Sequence, residues 1–214
     1  MQLLIIGANG GVGKQCVEQA LEAGHHVTAI VRNPARLPLR HSNLQIVQGD
    51  VTEPFSFSDH YTGKDAVISA IGVSGGLFGD RPTTLYSGGA KNILHEMEQL
   101  TVRRVFFISA SAVETSPLLP FVVRLVSKYI IQKLLKNMYA DLLHMEQTVK
   151  ASGLDWTIIR PPQLTNKPRT GTYRVAINQF LKNALKISRA DTADFMLRNL
   201  QNKNTYRSTV EIGY

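Results

Sequence analysis

Leu3, Leu4, Ile5 and Ile6 run without a break into Gly7-Ala8-Asn9-Gly10-Gly11-Val12-Gly13, after which Val12, Val17, Ala20 and Leu21 recur at helical spacing until Gly24. A buried strand, a glycine turn and a helix in that order constrain the fold strongly. The crossover has to return the chain to a second, parallel strand, which residues 27–31 supply. The alternation continues, with short apolar runs at 44–47, 66–71, 105–108 and 156–159. Helices are expected over 12–23, 83–100, 118–151 with a break, and 190–200, the last announced by Ser188 and Asp191 as a capping pair. The pattern predicts an α/β fold with a doubly wound parallel sheet, and 214 residues suit one domain spanning 1–214.

The glycine turn carries chemistry as well as shape. In a Rossmann-type sheet one glycine makes the tight turn, one lets the backbone approach a pyrophosphate, and one lets helix and strand pack closely. The helix amino terminus then presents N–H groups and a positive dipole end to the phosphates. The spacing here is GxxGxxG, and Gly7, Asn9, Gly10, Gly11, Val12 and Gly13 become candidate dinucleotide ligands. An NAD site would place an acid at the end of the second strand, whereas this chain reads Ile30-Val31-Arg32-Asn33-Pro34. A guanidinium suits a 2′-phosphate and an acid would repel it, so Arg32, assisted by Arg36, predicts NADPH as the cofactor. Asp50 and Val51 end the third strand, where they would meet the adenine edge. Ala70, Ile71 and Gly72 end the fourth, under the ribose and phosphates. The Gly- and Pro-rich segments 72–82 and 161–175 follow strands and are expected as rim loops, the first of them a candidate flap.

The net charge of +8 admits either a polyanionic partner or a small anionic ligand. The cations are scattered, without a long like-charge run or an interleaved aromatic ladder, so no nucleic acid is expected. Cys16 is the only cysteine, no signal-like segment opens the chain, and no apolar run is long enough to span a bilayer. A cytoplasmic protein without a metal site or a membrane span is expected.

Gly7 to Gly13, Val31-Arg32, Gly49-Asp50-Val51, Asp65-Ala66-Val67-Ile68, Gly89-Ala90-Lys91-Asn92-Ile93, Ser152-Gly153-Leu154, Pro161-Pro162, Thr170-Gly171 and Asp194-Phe195-Met196-Leu197-Arg198 resemble the atypical short-chain dehydrogenases with NAD(P)H-binding, NmrA-like domains. Within these the chain is most similar to the biliverdin IXβ reductases, also called flavin reductases. The resemblance spans nearly the whole length. It implies an NADPH-dependent reductase of flavins or linear tetrapyrroles, monomeric or a weak homodimer, with a small-molecule acceptor. It also implies that Pro161, Pro162, Gln163 and Ser109 lie near the nicotinamide. Where those reductases carry a histidine after Pro-Pro, this chain has Gln163, which forms hydrogen bonds but does not titrate near neutrality. Short-chain dehydrogenases place a serine at the end of the fifth strand, which makes Ser109 and Ser111 candidate catalytic groups. Residues 117–140 look longer and more helical than the matching reductase segment, and either line the substrate site or pack against the core.

Three functions are compatible with this reading. The first is a reductase passing a hydride to a flavin, quinone or similar flat conjugated acceptor. The second is a non-catalytic NADP(H)-binding regulator. The third is a carbonyl- or sugar-modifying dehydrogenase using Tyr129 and Lys133, which match a YxxxK pattern.

Overall fold

A computed structural model describes residues 1–72, 83–114 and 135–214. An eight-stranded sheet forms around β1(Gln2–Ile6), with β2(His26–Val31), β3(Leu44–Gln48), β4(Ala66–Ser69), β5(Arg104–Ile108), β6(Asp155–Arg160), β8(Arg174–Ile177) and β10(Ser208–Gly213). Its order is β3-β2-β1-β4-β5-β6-β10-β8, and every pairing is parallel except that of β8 with β10. Registers such as Ile6 with Ile30 on one side and with Ser69 on the other fix which strand ends rise together at the rim. A second, two-stranded sheet pairs β7(Gln163–Thr165) with β9(Lys186–Ser188).

The apolar runs become central strands because both of their faces are covered. Leu3, Ile5, Ala29, Ile68, Phe106 and Ile159 pack beneath α1(Gly11–Glu22) and α4(Arg189–Arg198). Leu4, Ile6, Val67, Val105, Phe107 and Ile158 face α2(Leu85–Gln99) and α3(Lys136–Ala151). At the amino ends of the strands, the buried Arg104 guanidinium lies between the Phe106 and Tyr206 rings. It donates to the carbonyls of Asp155, Asn199 and Leu200 and to the Thr157 and Thr205 hydroxyls.

The first six strands and the first crossover helix fall where the periodicity predicts them, within two residues at each end. The α4 cap forms as expected, the Ser188 hydroxyl accepting from the Asp191 amide at 2.8 Å. Segment 161–175 departs from the expectation of a plain loop, because Gln163 opens β7 and Arg174 opens β8. β10 was not apparent in the sequence either. Only Val210 and Ile212 are apolar in its Ser208-Thr209-Val210-Glu211-Ile212, and Glu211 is buried there, accepting from the Leu181 amide at 2.7 Å. Of the expected 118–151 helix, 136–151 is present, while Tyr129, Lys133 and most of the 117–140 stretch lie outside the described residues, as do 73–82 of the flap. Among the described residues no helix is long and apolar enough to cross a membrane.

Candidate functional site

The sheet order positions the site. From β1 the chain moves outward to β2 and β3 on one side and to β4, β5 and β6 on the other, so the connections diverge between β1 and β4. A crevice opens there above the carboxyl ends of the strands.

Gly7 has φ +81°, and a Cβ on it would lie 2.7 Å from the Ala70 carbonyl oxygen, so only glycine lets the turn rest against the end of β4. A Cβ at Gly13 would lie 2.2 Å from the Gly7 carbonyl oxygen, and its absence lets α1 start directly beneath the turn. Gly10 is extended (φ −73°, ψ 158°) and exposed, and a Cβ on it would lie 3.2 Å from the Gly7 carbonyl oxygen and 3.6 Å from that of Ala70, so its missing side chain lets the turn stay tight against the end of β4. The Gly10 amide donates to the Gly7 carbonyl, and the Lys14 amide makes the first helical bond, to Gly10. The amides of Gly11, Val12 and Gly13 therefore sit at the helix end without helical acceptors. No side chain caps α1, and no carboxylate occupies its first turn. The Val12 side chain is buried, so it can serve a ligand only through its backbone. Donors, dipole and missing side chains together fit a pyrophosphate.

At the end of β2, the exposed Arg32 is followed by Asn33, whose side chain accepts from the Ala35 amide and caps the 3-10 turn Pro34–Arg36. Asn9 Nδ2 donates to the Asn33 carbonyl at 3.0 Å, tying the glycine turn to this second loop and setting Arg32 and Arg36 beside it. Asp50, expected at the adenine edge, turns one carboxylate oxygen into its own loop, accepting from the Thr52 amide and hydroxyl. Those bonds, the Thr52 amide first, and the Arg32 charge hold its carboxyl below the usual range. The Val51 side chain is buried against α2, at the point where Gly89 lets the helix approach, and its carbonyl accepts from Asn92. Ala70 is buried, Ile71 half-buried, and Gly72 exposed with open space beyond it.

Ser109, Ser111 and Pro161 meet at the ends of β5 and β6, with the Ser109 amide donating to Ile159 and the Ser111 amide to Pro161. Pro162 is half-buried beside them, while Gln163 is exposed on β7, its amide donating to Leu185. The Ser109 hydroxyl is not free to orient an acceptor as expected. It is buried and donates to Glu146 Oε1 at 2.7 Å. Glu146, 1% exposed on α3, also accepts from Arg160 Nε (2.8 Å) and Nη2 (2.6 Å) and from Lys150 (3.0 Å). Arg160 in turn donates to Glu114 at 2.8 Å. Burial alone would raise the Glu146 carboxyl, but the Arg160 guanidinium, with Ser109 and Lys150, outweighs it and holds the group below the usual carboxylate range. At neutral pH Glu146 is ionised, so the Ser109 proton stays directed at it and the serine oxygen can only accept. This network was missed in the sequence, although one signal was present. Glu146 falls in helical register with Leu142, Met145 and Val149, and a charge on a buried face requires a partner. On the far side of Arg160, a cavity of about 310 Å³ is lined by Trp156, Phe180, Glu211 and others, separated from Ser109 by the Glu146–Arg160 pair.

Residues 7–203 match the family model for NAD(P)H-binding proteins. The chain is 29% identical over 216 residues to an uncharacterised chloroplastic protein of Arabidopsis thaliana, covering 99% of this chain and 76% of that one. It is 28% identical over 208 residues to an uncharacterised sugar epimerase, YhfK, of Bacillus subtilis, covering 96% and 90%. Among solved structures it resembles a wide-type short-chain dehydrogenase/reductase from Veillonella parvula in complex with NADP (TM-score 0.82, 17% identity, 100% and 94% covered), a likeness of fold.

Proposed function

Because the chain belongs to the NAD(P)H-binding family, we propose that it is an NADPH-dependent reductase that passes a hydride to a flavin, quinone or similar flat conjugated acceptor. The observation that carries this reading is the Ser109–Glu146 bond. With that hydroxyl donating inward and Gln163 unable to titrate, neither Ser109 nor Gln163 supplies the proton that carbonyl reduction needs. Bound NADPH supplies the hydride, and a flat conjugated acceptor requires of the protein chiefly proximity and orientation. In this reading Gly11, Val12 and Gly13 hold the pyrophosphate through their amides, Arg32 and Arg36 select the 2′-phosphate, and Ser109 accepts from a ligand N–H. Pro161 and Pro162 shape the nicotinamide end. Mixing the protein and NADPH with flavins, quinones, biliverdin and aldehydes in a stopped-flow instrument tests it, the expected result being turnover of flavins or quinones and not of aldehydes. Tight NADPH binding with no acceptor turned over would favour a non-catalytic regulator.

The likeness to the Bacillus subtilis sugar epimerase supports a second reading, a carbonyl- or sugar-modifying dehydrogenase with Tyr129 as acid and Lys133 beside it. Tyr129→Phe separates the two. A reductase of flat acceptors keeps its rate within about threefold, since the hydroxyl is not the proton donor. A loss of about 10²- to 10⁴-fold, with NADPH affinity unchanged, would install the second reading.

A further inference from the structure

We propose that Arg189 is a further dinucleotide-binding residue, which brings from α4 a positive charge to the pyrophosphate at the amino end of α1. The proposal rests on the reading of the crevice as an NADPH site. Arg189 is the first residue of α4, and its aliphatic stem lies across the glycine turn, since a Cβ at Gly11 would come within 2.5 Å of its Cδ and 2.7 Å of its Nε. The space that a side chain at Gly11 would fill is thus taken by the arginine. The Arg189 Nη1 donates to Asn166 Oδ1 at 2.7 Å and, at 3.4 Å, to the Leu164 carbonyl, both neutral acceptors. Among the described residues it forms no ion pair, whereas Arg103, Arg160, Arg169, Arg198 and Arg207 each lie within 4.0 Å of a carboxylate.

The placement is enforced. Ser188 caps α4, and Gln19 Nε2 donates to the Ala190 carbonyl at 2.9 Å, fastening the first turn of α4 to α1. An arginine held by its stem and one amino group, its charge unneutralised beside three unpaired amides, has the chemistry to bind a diphosphate through charge-assisted hydrogen bonds. Its charge would serve NADH and NADPH alike, because both carry the pyrophosphate.

Calorimetric titration of the wild type, Arg189→Gln and Arg189→Lys with ADP, NADH, NADPH and adenosine 2′-monophosphate tests this. Arg189→Gln should weaken ADP, NADH and NADPH by about tenfold each, and leave adenosine 2′-monophosphate, which has no diphosphate, within about twofold. Arg189→Lys should recover part of the loss, keeping the charge without the fork. Unchanged ADP affinity in Arg189→Gln overturns the assignment. So does an equal loss for adenosine 2′-monophosphate, which would make the residue a support for the crevice as a whole. A wild type that binds none of the four would reject the cofactor reading itself, and Arg189 with it. Binding by the wild type that Arg189→Gln retains unchanged rejects Arg189 alone.

Discussion

Arg32 stands where an acid would exclude a 2′-phosphate, and the bond from Asn9 to the Asn33 carbonyl holds its loop against the glycine turn. Replacing Arg32 with Ala should therefore weaken NADPH far more than NADH. The cost is on the order of 1.5 to 3 kcal/mol, or about one to two decades in affinity. Calorimetry with both cofactors checks it, and equal losses would remove the NADPH preference from the proposal. At this scale much of the candidate site was legible. Gly7, Gly13 and Arg32 carry their reasons locally, in a positive φ, a missing Cβ and a charge. Ser109 was legible only as a position, because its role depends on Glu146, a residue of another element.

That residue shows what an element contributes. α3 is amphipathic, yet it turns the Glu146 carboxylate inward, where it joins Ser109 at the end of β5 to Arg160 at the end of β6. Removing one partner of such a buried pair strands the other, at about 3 to 5 kcal/mol, and Glu114, still bonded to Arg160, should keep the loss near the lower figure. Glu146→Gln should thus lower the unfolding free energy by about 3 kcal/mol at neutral pH. The sign of the pH effect follows from the depressed carboxyl. Its stabilisation is complete above the ordinary glutamate pKa of about 4.3 and is lost as pH falls through the lower folded value. Urea unfolding from pH 7 downward should show a shallower acid decline in Glu146→Gln than in the wild type. Parallel declines would mean that the pair does not govern acid stability.

For the molecule as a whole, a ligand that binds only the folded chain stabilises it by mass action, by about 2.7 kcal/mol at a hundredfold excess over Kd. For a domain of this size that raises Tm by about 5 to 10 °C. NADPH should give such a shift and NADH a smaller one at equal concentration, and no shift from either would show the crevice to be unfilled. The sequence by itself determined the α/β alternation, the six leading strands, the glycine cradle and the cationic end of β2. These rest on period, turn chemistry and charge, which act over a few neighbouring residues. Only the tertiary structure decided that β10 extends the sheet, that β7 and β9 pair at its rim, that the Ser109 proton points into Glu146, and that Arg189 lies across Gly11. Each of these joins residues far apart in the chain, and the strand order that brings them together is fixed by burial of the whole sheet rather than by any local preference.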